Sequence, residues 1–146
     1  MSVPILKQGS YLIASIQAAM TDSDIVVARQ KGRELAERIG FTRTDLTFIA
    51  TAISEVARNI TSYAGRGEIL FRVVNGDRRV GIHMEARDEG PGIGDLQRAL
   101  EDGYSTAEGM GLGLPGARRL MDEFEVRSEV GMGTTVIMCK WGPDRG

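Results

Sequence analysis

The sequence predicts an α/β two-layer sandwich, a mixed, mainly antiparallel sheet with helices on one face. Three observations predict it. Apolar residues recur at helical spacing in two long segments after residue 21, and short apolar or alternating runs bounded by glycine turns lie before and after them. These short runs are joined by tight turns rather than by crossovers, so neighbouring strands run antiparallel. Two amphipathic helices then cover the apolar face of the sheet they form.

Taken in order, Ile5-Leu6 and Ser10 to Gln17 flank Gln8-Gly9 and read as a β-hairpin. A lone hairpin is marginal, so this one must extend a larger sheet. Thr21 to Asp24 supplies N-cap residues, and Val27, Ala28, Leu35, Ala36 and Ile39 follow at helical spacing up to Gly40. A second helix opens near Thr42 to Asp45, carries Leu46, Ile49, Ile53, Val56 and Ile60, and stops by Gly65 to Gly67. Glu68 to Val74 and Arg79 to Arg87 are strands joined around Asn75-Gly76, a strong hairpin signal. A short helix (Asp95 to Asp102), a glycine-rich loop (Gly103 to Gly113) and a helix from Pro115 to Phe124 come next, with Pro115 suited to a first helical turn. Glu125 to Val130 and Thr134 to Trp141 close the chain as two strands around Gly131-Met132-Gly133.

The 146 residues suit one domain with one core. Eighteen basic and 20 acidic residues give a net charge of −2, which offers no long-range attraction to nucleic acid or to a membrane surface. No apolar run is long enough to cross a bilayer, and Met1 to Lys7 lacks the pattern of a signal peptide. A single cysteine, Cys139, can form no internal disulfide, which points to a cytoplasmic protein. His83, alternating with Ile82 and Met84, has no second ligand nearby in sequence, and Cys139 reads as a small core residue rather than a nucleophile.

Four runs carry chemistry. Glu55 and Asn59 stand at i and i+4, about 6 Å apart along one helix face. There a carboxamide oxygen can serve a hard cation such as Mg²⁺, and a carboxylate can orient or deprotonate a nucleophile. Asp88-Glu89-Gly90-Pro91-Gly92 follows an apolar strand; its glycines permit close approach, and Asp88 can accept from an amino group such as that of adenine. Gly109, Gly111 and Gly113 lead into a helix, where backbone N–H groups can cradle phosphate. Thr134 and Val136 share one strand face and suit the edge and face of a purine. Each run alone is matched by a plain structural reading, such as a solvated helix face or a capped turn.

In this order the four runs resemble the GHKL ATPase and kinase superfamily, with its Bergerat ATP-binding fold. The resemblance implies a general base at Glu55, a Mg²⁺ ligand at Asn59, an adenine contact at Asp88 and a closing contact at Thr134. It further implies that Gly90 and Gly92 form the pocket floor, and that Gly109, Gly111 and Gly113 contact the phosphates of ATP. Ala52 to Ile60, Glu101 to Thr106 and Leu120 to Phe124 resemble the switch serine/threonine kinases of the stressosome in particular. Those kinases phosphorylate STAS-domain scaffold and antagonist proteins and activate a PP2C-type phosphatase by binding it.

This sequence departs from that pattern twice. Residues 1–22 are similar to the first hairpin of a STAS antagonist, so the expected organisation is a fused hairpin followed by the kinase domain at 23–146, together one globular unit. The hairpin would supply the first strand and an edge for a homodimer. Between Thr106 and Gly109 there are only Ala107 and Glu108, without the basic residue that sigma-binding relatives carry in a longer lid. Arg58, beside Asn59, is a candidate γ-phosphate partner, ahead of Arg118, with a surface salt bridge the favoured plain reading of either. The leading reading is a protein kinase; the alternative is a nucleotide-gated anti-sigma module that sequesters a sigma factor.

Overall fold

The structure is a computed structural model that describes residues 5–7, 10–19, 22–64, 66–91 and 114–144. Strands β1 (Ile5–Lys7) and β2 (Ser10–Ala19) precede helices α1 (Asp22–Ile39) and α2 (Arg43–Tyr63). Strands β3 (Arg66–Asn75) and β4 (Val80–Asp88), helix α3 (Leu114–Leu120) and strands β5 (Glu123–Glu129) and β6 (Gly133–Trp141) follow. They form a six-stranded sheet in the order β1-β2-β3-β4-β6-β5. Every pairing among the described residues is antiparallel, so the sheet is not mixed there. The reason is that β5 returns along the outside of β6, which leaves β6 to enter beside β4 in the opposite direction.

Sheet register explains which residues form the core. Phe71, Met84, Met138 and Phe124 are successive partners across β3, β4, β6 and β5, and Ile69, Ala86, Val136 and Val126 make the next row. Side chains alternate faces along a strand, so both rows point to one side. Helix α1 packs against α2 and β4, and α2 packs against β3 and β4. Ile49, Ile53, Val56 and Ile60 of α2 are fully buried on that side, as the helical period requires. Thr42 caps α2, its Oγ1 accepting from the Asp45 backbone N–H at 3.2 Å.

The opposite face carries Arg72, Glu85 and Arg87. Burial pushes the Glu85 carboxyl up, but the hydrogen bond and charge of Arg87, and then those of Arg72, outweigh it and hold the group below its ordinary value. Cys139 also lies on this outer face, outside the main core and yet buried; burial first, then Glu123 and Asp122, pushes its thiol up to about 12. A thiol held that high is protonated at neutral pH and inert.

The first hairpin is continuous with the sheet. β2 pairs with β3 from Ser10↔Val74 to Ala19↔Arg66, with a register irregularity between Leu12 and Ala14. Helix α3 is shorter than the sequence pattern predicts, ending at Leu120 rather than Phe124, and β5 begins at Glu123 rather than Glu125. Pairing with β6 takes the chain over early, since the Asp122 N–H donates to the Cys139 carbonyl at 3.0 Å and Asp122 Oδ2 accepts from the Trp141 N–H at 2.7 Å. The helix expected over Asp95 to Asp102 lies outside the described residues.

Lys140 holds α3 at this point. Its ammonium donates to the Leu120 carbonyl at 2.8 Å, lies 3.6 Å from Asp122 and 4.0 Å from Asp45, and stands 5.5 Å from the Phe48 ring centroid. The Lys140 side chain is only 13% exposed, whereas Asp45 and Asp122 are 28% and 42% exposed and keep water of their own. Lys140→Met is expected to cost about 1–3 kcal/mol, chiefly because the Leu120 carbonyl loses its charged donor. Urea unfolding of the two proteins checks this, and an unchanged midpoint would show the cluster to be energetically idle.

Candidate nucleotide site

Three segments converge at the end of the sheet opposite Lys140. Helix α2 has Asp45, beside Lys140, in its first turn and is capped at the other end by Ala64, where a Cβ on Gly90 would lie 2.6 Å from the Ala64 Cβ. The loop leaving β4 therefore passes directly against the end of α2. Gly131 at the β5–β6 turn donates its N–H to the Pro91 carbonyl at 2.7 Å and ties that turn to the same loop.

Gly133 lets β6 begin there. Its φ is +100°, and an added Cβ would fall 2.1 Å from the Asp88 carbonyl oxygen. Both facts demand glycine: the backbone is left-handed, and the neighbour is main chain that cannot swing away. Gly133→Ala is expected to destabilise the fold by roughly 2–4 kcal/mol and to move Thr134 away from Asp88. Chemical denaturation together with nucleotide titration tests both effects, and near-normal values in both would contradict the close approach.

The row at this end of the helix-covered face is Gly67, Asp88, Thr134 and Ser128 on four adjacent strands. Asp88 Oδ1 accepts from the Gly90 N–H at 2.9 Å and from the Thr134 N–H at 3.3 Å. Two backbone donors thus fix the carboxylate in place, and Oδ2 remains as an acceptor for a ligand. Thr134 is buried, and its Oγ1 lies 2.8 Å from Ser128 Oγ. A hollow of about 260 Å³ borders Asp88, Ser128, Gly133 and Thr134. A larger polar depression of about 540 Å³, lined by Arg66, Glu68, Arg87 and Thr135, opens at the same end and shares Asp88. The smaller one matters more for the site, because it holds the whole Asp88, Thr134 and Ser128 row.

Helix α2 carries Glu55 and Asn59 in its C-terminal half. Asn59 is 8% exposed, and among the described residues its Oδ1 has no hydrogen-bond partner. A buried carboxamide oxygen left unpaired is costly unless something bound there meets it, and a hard cation or a water on that cation fits its chemistry. Among the described residues no three His, Cys, Asp or Glu side chains gather into a metal cluster. A cation here would rest on Asn59 and on the oxygens of its own ligand. Glu55 is 31% exposed and accepts from Arg58 Nη1 at 3.1 Å, so Arg58 lies against the carboxylate.

Glu55, Arg58, Asn59, Asp88, Gly90 and Thr134 are therefore all described, and the Asp88–Thr134 pair and the end of α2 meet around the loop at Gly90. Gly92, Gly109, Gly111 and Gly113 lie outside the described residues. Ser128 and the Pro91 carbonyl were not foreseen. Counting back across the turn from Thr134 pairs it with Ser128, so that signal was present in the hairpin itself.

A half-buried Asp beside a glycine turn, a helix bearing Glu and Asn, and an antiparallel sheet covered on one face define a nucleotide-binding ATPase domain. The chain belongs to the histidine kinase-like ATPase domain family, whose model matches residues 18–140, and its ligand is ATP. It is a homologue of the serine/threonine-protein kinase RsbT of Bacillus subtilis (strain 168), at 50% identity over 122 residues, 84% of this chain and 92% of that one. An anti-sigma F factor of Caldanaerobacter subterraneus subsp. tengcongensis is 34% identical over 120 residues, 78% of this chain and 82% of that one.

Among solved structures, the RsbU and RsbW domains of Rv1364c from Mycobacterium tuberculosis superpose with a TM-score of 0.62 at 22% identity. That match covers 90% of this chain and 33% of the other, and it speaks for the fold alone. The resemblance of the first hairpin to a STAS antagonist gains no support from these relatives. Among the described residues no helix is long and apolar enough to cross a membrane.

Proposed function

We propose that this chain is an ATP- and Mg²⁺-dependent serine/threonine protein kinase that phosphorylates STAS-domain scaffold and antagonist proteins. In this reading it also activates a PP2C-type phosphatase by binding it. The observation that carries the proposal is the Asn59 Oδ1, buried without a hydrogen-bond partner among the described residues, one helical turn beyond Glu55 on the helix that reaches the Asp88 loop. A binding module that only held adenine would need the Asp88 and Thr134 pair and little else.

Each residue has a distinct task. Asp88 accepts from the adenine amino group, and Thr134 closes the base end. Asn59 would hold Mg²⁺, which neutralises charge on the phosphates. Glu55 orients the substrate hydroxyl and takes its proton as the oxygen attacks. Arg58, exposed and resting on Glu55, has the reach to turn to the γ-phosphate, which leaves Glu55 free to act. Gly90, packed against Ala64, floors the pocket.

Incubation with γ-labelled ATP, Mg²⁺ and a STAS-domain antagonist tests the proposal. Label is expected on a Ser or Thr of the antagonist. The second reading, a nucleotide-gated anti-sigma module, is favoured by the identity to an anti-sigma F factor. ATP binding without any transfer would establish it and sink the kinase. The unpaired outer edge of β1 among the described residues suits a homodimer through the first hairpin.

A further inference from the structure

Ser128 takes no part in the function proposed above, yet it completes the row that faces the base. Its Oγ donates to the Gly133 carbonyl at 3.2 Å and lies 2.8 Å from Thr134 Oγ1. A hydroxyl has one proton to give, and a carbonyl can only accept. With the Ser128 proton on Gly133, the proton in the 2.8 Å contact comes from Thr134. Thr134 Oγ1 then has only lone pairs left for a ligand.

Its neighbour on β4 is in the same condition. Asp88 Oδ1 is occupied by two backbone N–H groups, and Oδ2 is an acceptor. Asp88 and Thr134 are directly opposed across β4 and β6, and side chains so paired stand about 5 Å apart on one face. The row therefore presents two adjacent acceptors to the same ligand edge.

We propose that Ser128 is a positioning residue: by fixing the direction of the Thr134 proton, it makes this site select 6-aminopurine nucleotides against 6-oxopurine nucleotides. An exocyclic amino group brings two donors to the two acceptors. A 6-oxo group brings lone pairs against lone pairs, and Thr134 cannot rotate its proton to help without breaking its bond to Ser128. Discrimination thus includes a repulsive element held in place from the next strand. The inference rests on the reading of this row as the base end of the nucleotide site.

The test compares ATP with ITP, which differ at the 6-position and in the proton on N1. Wild-type protein is expected to bind ATP at least about 100-fold more tightly than ITP, as sites built for a particular hydrogen-bond pattern do. In Ser128→Ala the Thr134 proton is released, so the ratio should fall about tenfold or more, chiefly through tighter ITP binding, with ATP affinity changed less than about threefold. Ser128→Thr, which keeps the hydroxyl, should retain the wild-type ratio.

If Ser128→Ala does not fold, Ser128→Cys supplies a near-isosteric side chain with only a weak donor, and the same fall is expected. An unchanged ratio in the folded variant overturns the proposal. So does an equal loss of ATP and ITP binding, the mark of a merely structural residue. Wild-type protein that binds neither nucleotide overturns the underlying site reading and this inference with it, whereas wild-type selectivity that survives in the variant removes the Ser128 assignment alone.

Discussion

Asp88→Asn is expected to weaken ATP binding by about 100-fold or more while leaving the fold intact. The argument lies in the two oxygens. Gly90 N–H and Thr134 N–H both donate to Oδ1, so an asparagine placed here must turn its single oxygen inward to them. Its NH₂ group then occupies the position of Oδ2. That group is a donor, and it would meet the amino group of adenine donor to donor. Both backbone bonds survive, which is why little change in thermal stability is expected. Isothermal titration with ATP is the direct measurement, and intact affinity would overturn the adenine assignment.

A second variant separates binding from chemistry. Glu55→Gln should lower phosphoryl transfer to a STAS-domain substrate by about 10²- to 10⁴-fold, the range over which a positioned general base contributes. ATP affinity should change by less than about threefold, because Glu55 lies one helical turn from Asn59 and makes its hydrogen bond to Arg58 rather than to the Asp88 row. The carboxamide can still accept from Arg58, so neither the helix nor that contact is lost. Single-turnover transfer measured beside nucleotide titration gives both numbers. Transfer at the wild-type rate would remove Glu55 from the chemistry and leave protein positioning as the main contribution.

Much of the architecture was legible in the chain. Period-3.6 spacing marks α1 and α2, Asn75-Gly76 and Gly131-Met132 mark the two tight hairpins, and Thr42 marks a helix start. These signals are local, set by a few consecutive residues and the backbone angles that they favour. The end of α3 was not legible, because Lys140 and the pairing of Asp122 with β6 decide it from 17 to 20 residues away.

The candidate site divides along the same line. Glu55, Asn59, Asp88, Gly90 and Thr134 stand in recognisable runs, and the order of those runs points to an ATPase domain of the histidine kinase-like family. By itself, then, the sequence determined the element types, the family and the residue kinds available for chemistry. Tertiary structure alone decided that β4 lies against β6, which sets Asp88 beside Thr134 and brings Ser128 into the row. It likewise decided that Asn59 is buried, its oxygen unpaired among the described residues, while Glu55, one turn earlier, stays open to solvent and to Arg58. The physical reason is that register between strands distant in sequence, and burial against a partner element, are settled by packing the whole core. No short run of residues contains that information.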